Sequence, residues 1–331
     1  MRYCRNMWLF GVLVAVAGCA TTPHAVCVYQ HDHFVTGVAV CGQTGRIAST
    51  AFDGRVVVQS PDGGEPLWLF DVGDTGLPPM PRSKSPSAGG VIFAADGRHV
   101  YVLVSGNETV FVEYALTNGA VRTLTRITDW LAAAEASADG RRLVATVAPR
   151  DCGDIEAHML SAHGVVERWV LHSSRPLFNW ADLVACDGAG RRVAIGSRRT
   201  TIDVFEADGS AVEVQLGGER GFLRVAIADQ GRRIVAAVGS RVELWQHPHH
   251  EQRRCITLPE GKARAVCFDP SGKLLAVGDD AGRVRLYDTR SLRCRWTIQC
   301  GEKDIYAMQF APHERLLVAG AQDGRVWLCR Y

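Results

Sequence analysis

The chain has 331 residues, of which 47% are hydrophobic and 22% charged, with a formal net charge of +2. Such a composition buries a large core and excludes disordered, collagenous and polytopic membrane classes. Lys and Arg total 37 against 35 for Asp and Glu, which excludes a whole-chain electrostatic commitment to nucleic acid, and no nucleic-acid partner is expected. At the N-terminus Arg2 and Arg5 precede an apolar run from Met7 to Ala17 and then small residues, the pattern of a secretion signal over residues 1–18. The apolar run would rise only about 16 Å as a helix, too short for a hydrocarbon core of about 30 Å. Removal of the segment would take both excess positive charges with it.

Val16-Ala17-Gly18-Cys19 resembles the lipobox of bacterial lipoproteins, in which the peptidase cuts before the cysteine and the thiol and new amine become acylated. The resemblance implies lipid on Cys19, residues 19–24 as a lipidated tether, and attachment to the membrane through acyl chains. It also implies a place in the cell envelope of a diderm bacterium, on the outer membrane or a periplasm-facing membrane.

From residue 25 to residue 331 one unit recurs: an alternating apolar strand, a turn, a second strand, a turn and a third strand. The first turn falls at Thr44-Gly45, Asp96-Gly97, Asp139-Gly140, Ala189-Gly190, Gln230-Gly231, Ser271-Gly272 and a degenerate His313-Glu314, with spacings of 52, 43, 50, 41, 41 and 42. A period near forty belongs to propeller blades. The long first interval is explained by the proline-rich stretch from Leu77 to Pro86, the longest irregular connection. Outer strands are expected at Pro66 to Phe70, Val121 to Ile127, Val165 to Leu171, Val212 to Leu216, Cys255 to Leu258 and Cys294 to Gln299. The seventh unit ends at Tyr331 after three strands, so Ala25 to Tyr29 is expected to supply its fourth. The fold class is therefore all-β: a seven-bladed β-propeller of four-stranded antiparallel blades, closed by an N-terminal outer strand on the last blade. Closure leaves no exposed sheet edge, and a monomeric ring is expected.

The unit from Arg264 to Asp288 resembles a WD repeat in its Asp-Pro-Ser-Gly turn, its Asp280-Ala281-Gly282 turn, and Tyr287-Asp288 where that family has Trp-Asp. Trp245, Trp327, Asp53-Gly54 and Asp323-Gly324 match in other units. The resemblance makes Asp53, Asp280 and Asp323 structural turn residues. No unit carries the family's Gly-His pair, so its buried hydrogen-bond network is expected to be incomplete.

Cysteines number 11 in all. Cys41, Cys186 and Cys267 fall on or beside inner strands and read as small buried hydrophobes. Cys27 and Cys329 lie on strands that should be neighbours at the closure, so a disulfide between them is possible in some registers. There is no Cys-x-x-Cys pair, phosphate loop, Gly-x-Ser-x-Gly elbow or zincin motif. His247 to His250 reads as a solvated loop, and Asp151 and Asp154 supply too few oxygens for calcium. No cofactor, metal or catalytic residue is assigned.

Positional charge is the remaining pattern. Arg46, Arg98, Arg142, Arg192, Arg233 and Lys273 follow the first-turn glycines and would ring one face, a candidate partner-binding surface. Arg55, Arg283 and Arg325 follow turns of the opposite face, so the same residues also serve simply to keep strand starts soluble. The expected function is a non-catalytic protein-interaction scaffold, lipid-anchored in the cell envelope, with one or more envelope proteins as partners. The alternatives are a quinoprotein-like or lactonase-like propeller enzyme or ligand binder, and an accessory factor in outer-membrane protein assembly.

Overall fold

A computed structural model of the chain describes residues 22–76, 87–106, 108–128, 130–148, 155–164, 166–171, 183–197, 201–206, 210–215, 223–228, 232–246, 249–312 and 315–331. Cys19 with its lipobox, the Leu77 to Pro86 stretch, Asp151 and Asp154, and the Gln230-Gly231 and His313-Glu314 turns lie outside them. Among the described residues no helix is long and apolar enough to cross a membrane.

The strands follow one another in chain order. After β1 (His24–Gln30), blade 1 holds β2 (Val35–Val40), β3 (Ile47–Ala51), β4 (Arg55–Gln59) and β5 (Trp68–Asp71). Blade 2 holds β6 (Ser87–Phe93), β7 (His99–Ser105), β8 (Thr109–Ala115) and β9 (Val121–Ile127), and blade 3 β10 (Trp130–Ala136), β11 (Arg142–Ala148), β12 (Ile155–Ser161) and β13 (Val166–Leu171). Blade 4 holds β14 (Leu183–Cys186), β15 (Arg192–Ser197), β16 (Thr201–Glu206) and β17 (Ala211–Gln215), and blade 5 β18 (Leu223–Ala228), β19 (Arg233–Val238), β20 (Arg241–Gln246) and β21 (His249–Thr257). Blade 6 holds β22 (Ala263–Phe268), β23 (Leu274–Asp279), β24 (Arg283–Asp288) and β25 (Cys294–Gln299), and blade 7 β26 (Ile305–Phe310), β27 (Leu316–Ala321) and β28 (Arg325–Arg330).

Each blade is a four-stranded antiparallel meander, and β1 completes the seventh in the order β1-β28-β27-β26. All-β, seven-bladed and closed by the N-terminal strand, the ring has the architecture that the forty-residue period implies. One boundary differs: β21 begins at His249, which pairs with Gln246, so the expected loop at His249 is the start of a strand.

The turns explain the period. Gly45, Gly97, Gly140, Gly190 and Gly272 all sit at φ between 65° and 68°, the left-handed conformation that glycine adopts without steric cost. Aspartate caps several of these turns by accepting from the N–H two residues on, as where Asp96 Oδ1 accepts from Arg98 N at 2.8 Å. Blades then pack face to face through Val, Ile, Leu and Ala of the middle strands; β3 and β27 are buried at every position. Gly320 marks one close approach between blades, since a Cβ there would lie 2.3 Å from Val35 Cγ1 of blade 1.

The buried polar network is incomplete, as the missing Gly-His pairs imply. Trp245 is 2% exposed, and its indole N–H has no acceptor among the described residues. Blade 1 forms part of the network. His31, 1% exposed, places Nε2 2.9 Å from Ser49 Oγ and Nδ1 3.4 Å from Asp53 Oδ2. His31 thus bonds Ser49 and stands beside Asp53, but its Nδ1 has no hydrogen-bond partner among the described residues, so the network is partial here too, with Gln30 in the place of the preceding glycine.

The closing register also corrects the cysteine pairing. Cys27 stands opposite Trp327 and Cys329 opposite Ala25, two positions out of step. Cys27 is exposed whereas Cys329 is buried, and the two stand two positions apart along the pair, so no Cys27–Cys329 bond is set up. Cys41, Cys186 and Cys267 are buried, and burial pushes the Cys186 and Cys267 thiols well above their ordinary range.

Candidate functional site

Inner strands β2, β6, β10, β14, β18, β22 and β26 enclose a central channel of about 480 Å³, to which Thr36, Gly89, Glu135, Val184, Arg224, Ala265 and Tyr306 each contribute from one blade. Several of these strands carry a bulge near the start. Pairing jumps from Val35↔Ala51 to Gly37↔Thr50 in blade 1, from Ala263↔Asp279 to Ala265↔Gly278 in blade 6, and from Ile305↔Ala321 to Ala307↔Gly320 in blade 7. The residues left without a ladder partner are Thr36, Arg264 and Tyr306. A bulge breaks the period-two alternation and re-aims the side chain it releases. Polar and aromatic groups are thus placed at the channel mouth from strands that are otherwise apolar.

Around the mouth is an aromatic cluster. Phe34 and Phe52 stack with ring centroids 5.0 Å apart at 20°. His33 lies 5.0 Å from Phe34 and 5.2 Å from Phe52, and Tyr306 meets Phe34 edge-on at 6.0 Å. His33 is exposed and the other three are half-buried. The loop that carries His33 and Phe34 is pinned at the seam: His31 N donates to Gly324 O at 2.9 Å, Phe52 N to Phe34 O at 3.1 Å, and Asp32 N to Asp53 Oδ2 at 3.0 Å. Burial works to raise the Asp53 carboxyl, but the His31 contact and the Arg55 and Asp32 N–H groups outweigh it and hold the group below the usual carboxylate range.

Charges at the mouth are tied to one another. Arg55 Nη1 lies 2.7 Å from Asp32 Oδ2, Arg264 Nε 2.9 Å from Asp304 Oδ2, and Arg224 Nε donates to Arg264 O at 2.5 Å. Tyr306 is raised above its ordinary value by burial and by the Asp304 charge beside it. Deeper in, Glu135 is exposed to the channel; desolvation within the ring pushes its carboxyl up to about 7, with Arg224 opposing. Among the described residues no three His, Cys, Asp or Glu side chains converge as a metal site requires.

The arginine ring anticipated on the opposite face divides in two. Arg98 and Lys273 are exposed and Arg46 is half-buried. Arg142 instead reaches Gly188 O of blade 4 at 3.2 Å and Glu167 at 3.1 Å. Arg233 donates to Gly272 O and to Thr289 Oγ1 at 2.8 Å, both in blade 6. Arg192 pairs with Glu206 at 2.6 Å. Arg142 and Arg233 therefore clip neighbouring blades together, and Arg192 clips strands within one blade. Sequence position alone does not separate a solvated arginine from one whose reach ends on the next blade's turn.

Of the turn aspartates, Asp53 caps its own turn through Arg55 N at 2.9 Å, and Asp323 does so through Arg325 N at 3.2 Å. Asp280 plays a different part: it accepts from Lys262 N at 2.9 Å and holds the incoming loop. The cap belongs to Asp279, which is 0% exposed and accepts from Ala281 N, Arg283 N, Arg283 Nε and Arg285 Nη1 at 2.6 to 2.9 Å. Sequence reasoning also missed the His33, Phe34, Phe52 and Tyr306 cluster. A polar or aromatic residue interrupting an alternating apolar run was the signal.

Comparison with known proteins agrees with this architecture. A family model described as the anaphase-promoting complex subunit 4 WD40 domain matches residues 225–313. The chain is 33% identical over 66 residues to ribosome biogenesis protein erb1 of Neosartorya fischeri, a stretch covering 20% of this chain and 8% of that protein. It is 24% identical over 115 residues to WD repeat-containing protein 3 of Mus musculus, covering 34% and 12%. It is 33% identical over 87 residues to echinoderm microtubule-associated protein-like 2 of Homo sapiens, covering 26% and 13%. The matches thus span 8% to 13% of the length of these curated relatives. With seven four-stranded blades, they fit a WD-repeat-like propeller.

Proposed function

We propose that the protein is a non-catalytic interaction scaffold that docks a protein partner on the face carrying the channel mouth. The observation that carries this reading is the contiguous, half-exposed cluster of Phe34, Phe52 and Tyr306 on a rim of paired charges. An aromatic centre within a polar rim is the composition of protein-interaction hot spots. The remaining large exposed apolar side chains, Val26, Leu67, Leu69 and Val121, are on or beside outer strands, away from the mouth. The partial likeness to WD40 proteins supports the same class of activity.

We propose further that the scaffold is anchored in the cell envelope by acyl chains on Cys19, so that its partners are envelope proteins. Support for the address comes from the residues of the first 19 positions. Loss of membrane association in Cys19→Ala, with retention of an uncleaved leader, checks it; an unchanged membrane fraction refutes it.

The docking test is quantitative capture of crosslinked partners from cells producing the wild type, Phe34→Ala/Phe52→Ala, or Arg98→Glu/Lys273→Glu. The proposal expects a stoichiometric partner that is lost with the aromatic pair and kept after charge reversal. The opposite pattern would restore the arginine face as the binding surface. A second reading rests on the channel itself, whose volume falls in the range of small-ligand pockets and whose Glu135 and Arg224 bear opposite charges. A propeller that captures no protein, yet binds a small molecule in a Glu135-dependent manner, would favour it.

A further inference from the structure

We propose that Cys300 and Cys329 are joined by a disulfide that staples the sixth blade to the seventh, beside the seam where the ring closes. The two Sγ atoms lie 3.3 Å apart, buried, across 29 residues of sequence. Cys300 is 2% exposed and Cys329 0% exposed. Both belong to one apolar cluster with Ile298, Ile305, Phe310 and Leu317. Their positions are fixed independently. Cys300 follows β25 and donates its backbone N–H to Gly282 O at 2.9 Å, while Cys329 is held in β28 between Leu317 on one side and Ala25 on the other. Bond formation requires the sulfurs to approach by about 1.3 Å, to the length of an S–S bond.

A staple here acts where it has most effect. β28 is the strand onto which β1 closes, and the crosslink ties that strand to blade 6, so that the closing blade is held from both sides. The step is a dithiol–disulfide exchange: the two cysteines form one S–S bond and surrender two protons and two electrons to an external disulfide oxidant, which becomes two thiols. The hydrogen bond with Cys300, together with burial, holds the Cys329 thiol well above its ordinary range, so the attacking thiolate is scarce once the ring is shut. Formation of the bond requires an oxidising compartment. This inference is independent of the docking face.

The test is oxidative refolding of the full chain in a mixture of oxidised and reduced glutathione, followed by alkylation in denaturant and tryptic mapping. The expected product links the peptide of residues 296–303 to that of residues 326–330, disappears on reduction and is absent from Cys329→Ala. Reduction should lower the Tm of the wild type by about 5 °C and leave Cys329→Ala unmoved. The idea is overturned if both peptides return alkylated while Cys27 and Cys294, which are exposed, carry glutathione. It is equally overturned if Cys300 or Cys329 is found bonded to another cysteine. Because the Tm comparison is made on the wild type with and without reductant, a variant that fails to fold leaves the test intact.

Discussion

Replacing Asp279 by Ala removes a carboxylate that is 0% exposed, while its partner Arg285 is 4% exposed. Two consequences add. The Arg285 guanidinium, 2.6 Å from the carboxylate, would be left buried without a counter-charge, which costs about 3–5 kcal/mol. The N–H groups of Ala281 and Arg283, each 2.9 Å from Oδ1, would lose their acceptor at about 1 kcal/mol each, partly recovered because this turn is near solvent. Asp279→Ala should therefore destabilise the ring by about 5 kcal/mol, measured by urea denaturation with intrinsic tryptophan fluorescence. Arg285→Met alone should cost less, because Asp279 keeps the bond from Arg283 Nε at 2.8 Å. In Asp279→Ala/Arg285→Met the stranded cation is gone, so the double change should cost about 2 kcal/mol less than the sum of the singles. Burial works to raise the Asp279 carboxyl, but the bonds from Arg283, Arg285 and Ala281 outweigh it and depress the group. Its contribution is then present above the ordinary carboxylate pKa and is lost as pH falls through the folded value. A loss under 1 kcal/mol in Asp279→Ala, or strict additivity in the double variant, would refute the reasoning.

His31→Ala removes the bond to Ser49 and the contact with Asp53 and should cost about 2 kcal/mol, read as a lowered urea midpoint; no change would mean that these contacts are incidental. Glu135, held at about 7 in the folded ring against a usual 4.5, binds its proton more tightly folded than unfolded. Stability from this group is therefore complete below about pH 4.5 and lost as pH rises through about 7, a step that Glu135→Gln should abolish in a pH series of Tm values. Arg233→Ala removes the clip to Gly272 and Thr289 and should lower stability by about 1–2 kcal/mol while leaving partner capture intact. Impaired capture at unchanged stability would instead make Arg233 a binding residue.

What the sequence carried was whatever a short pattern encodes. The positive-φ glycines from Gly45 to Gly272 fix the turns, the turns fix the period, and the last blade takes β1 as its fourth strand. Side-chain destinations across blades were not legible. Arg142 and Arg233 read as a solvated ring because nothing local says that Gly188 and Gly272 of the next blade wait within reach. Asp280 was given the cap that Asp279 holds because the two are adjacent and only the direction of the turn distinguishes them. His31 escaped notice because its contacts with Ser49 and Asp53 need its imidazole and not the glycine that usually precedes it. Tyr306 and Arg264 read as members of alternating strands, whereas the bulges turn them to the channel mouth. Cys300 and Cys329 meet through blade packing, which no register within one sheet reveals.

Site-specific photocrosslinking in intact cells tests the central claim most directly, with a photoreactive amino acid placed at His33 on the mouth face or at Arg98 on the opposite face. The account predicts a single discrete protein adduct from position 33, none from position 98, and loss of the adduct in the Phe34→Ala/Phe52→Ala background. An adduct from position 98 alone, or one from position 33 that survives removal of both phenylalanines, would contradict it.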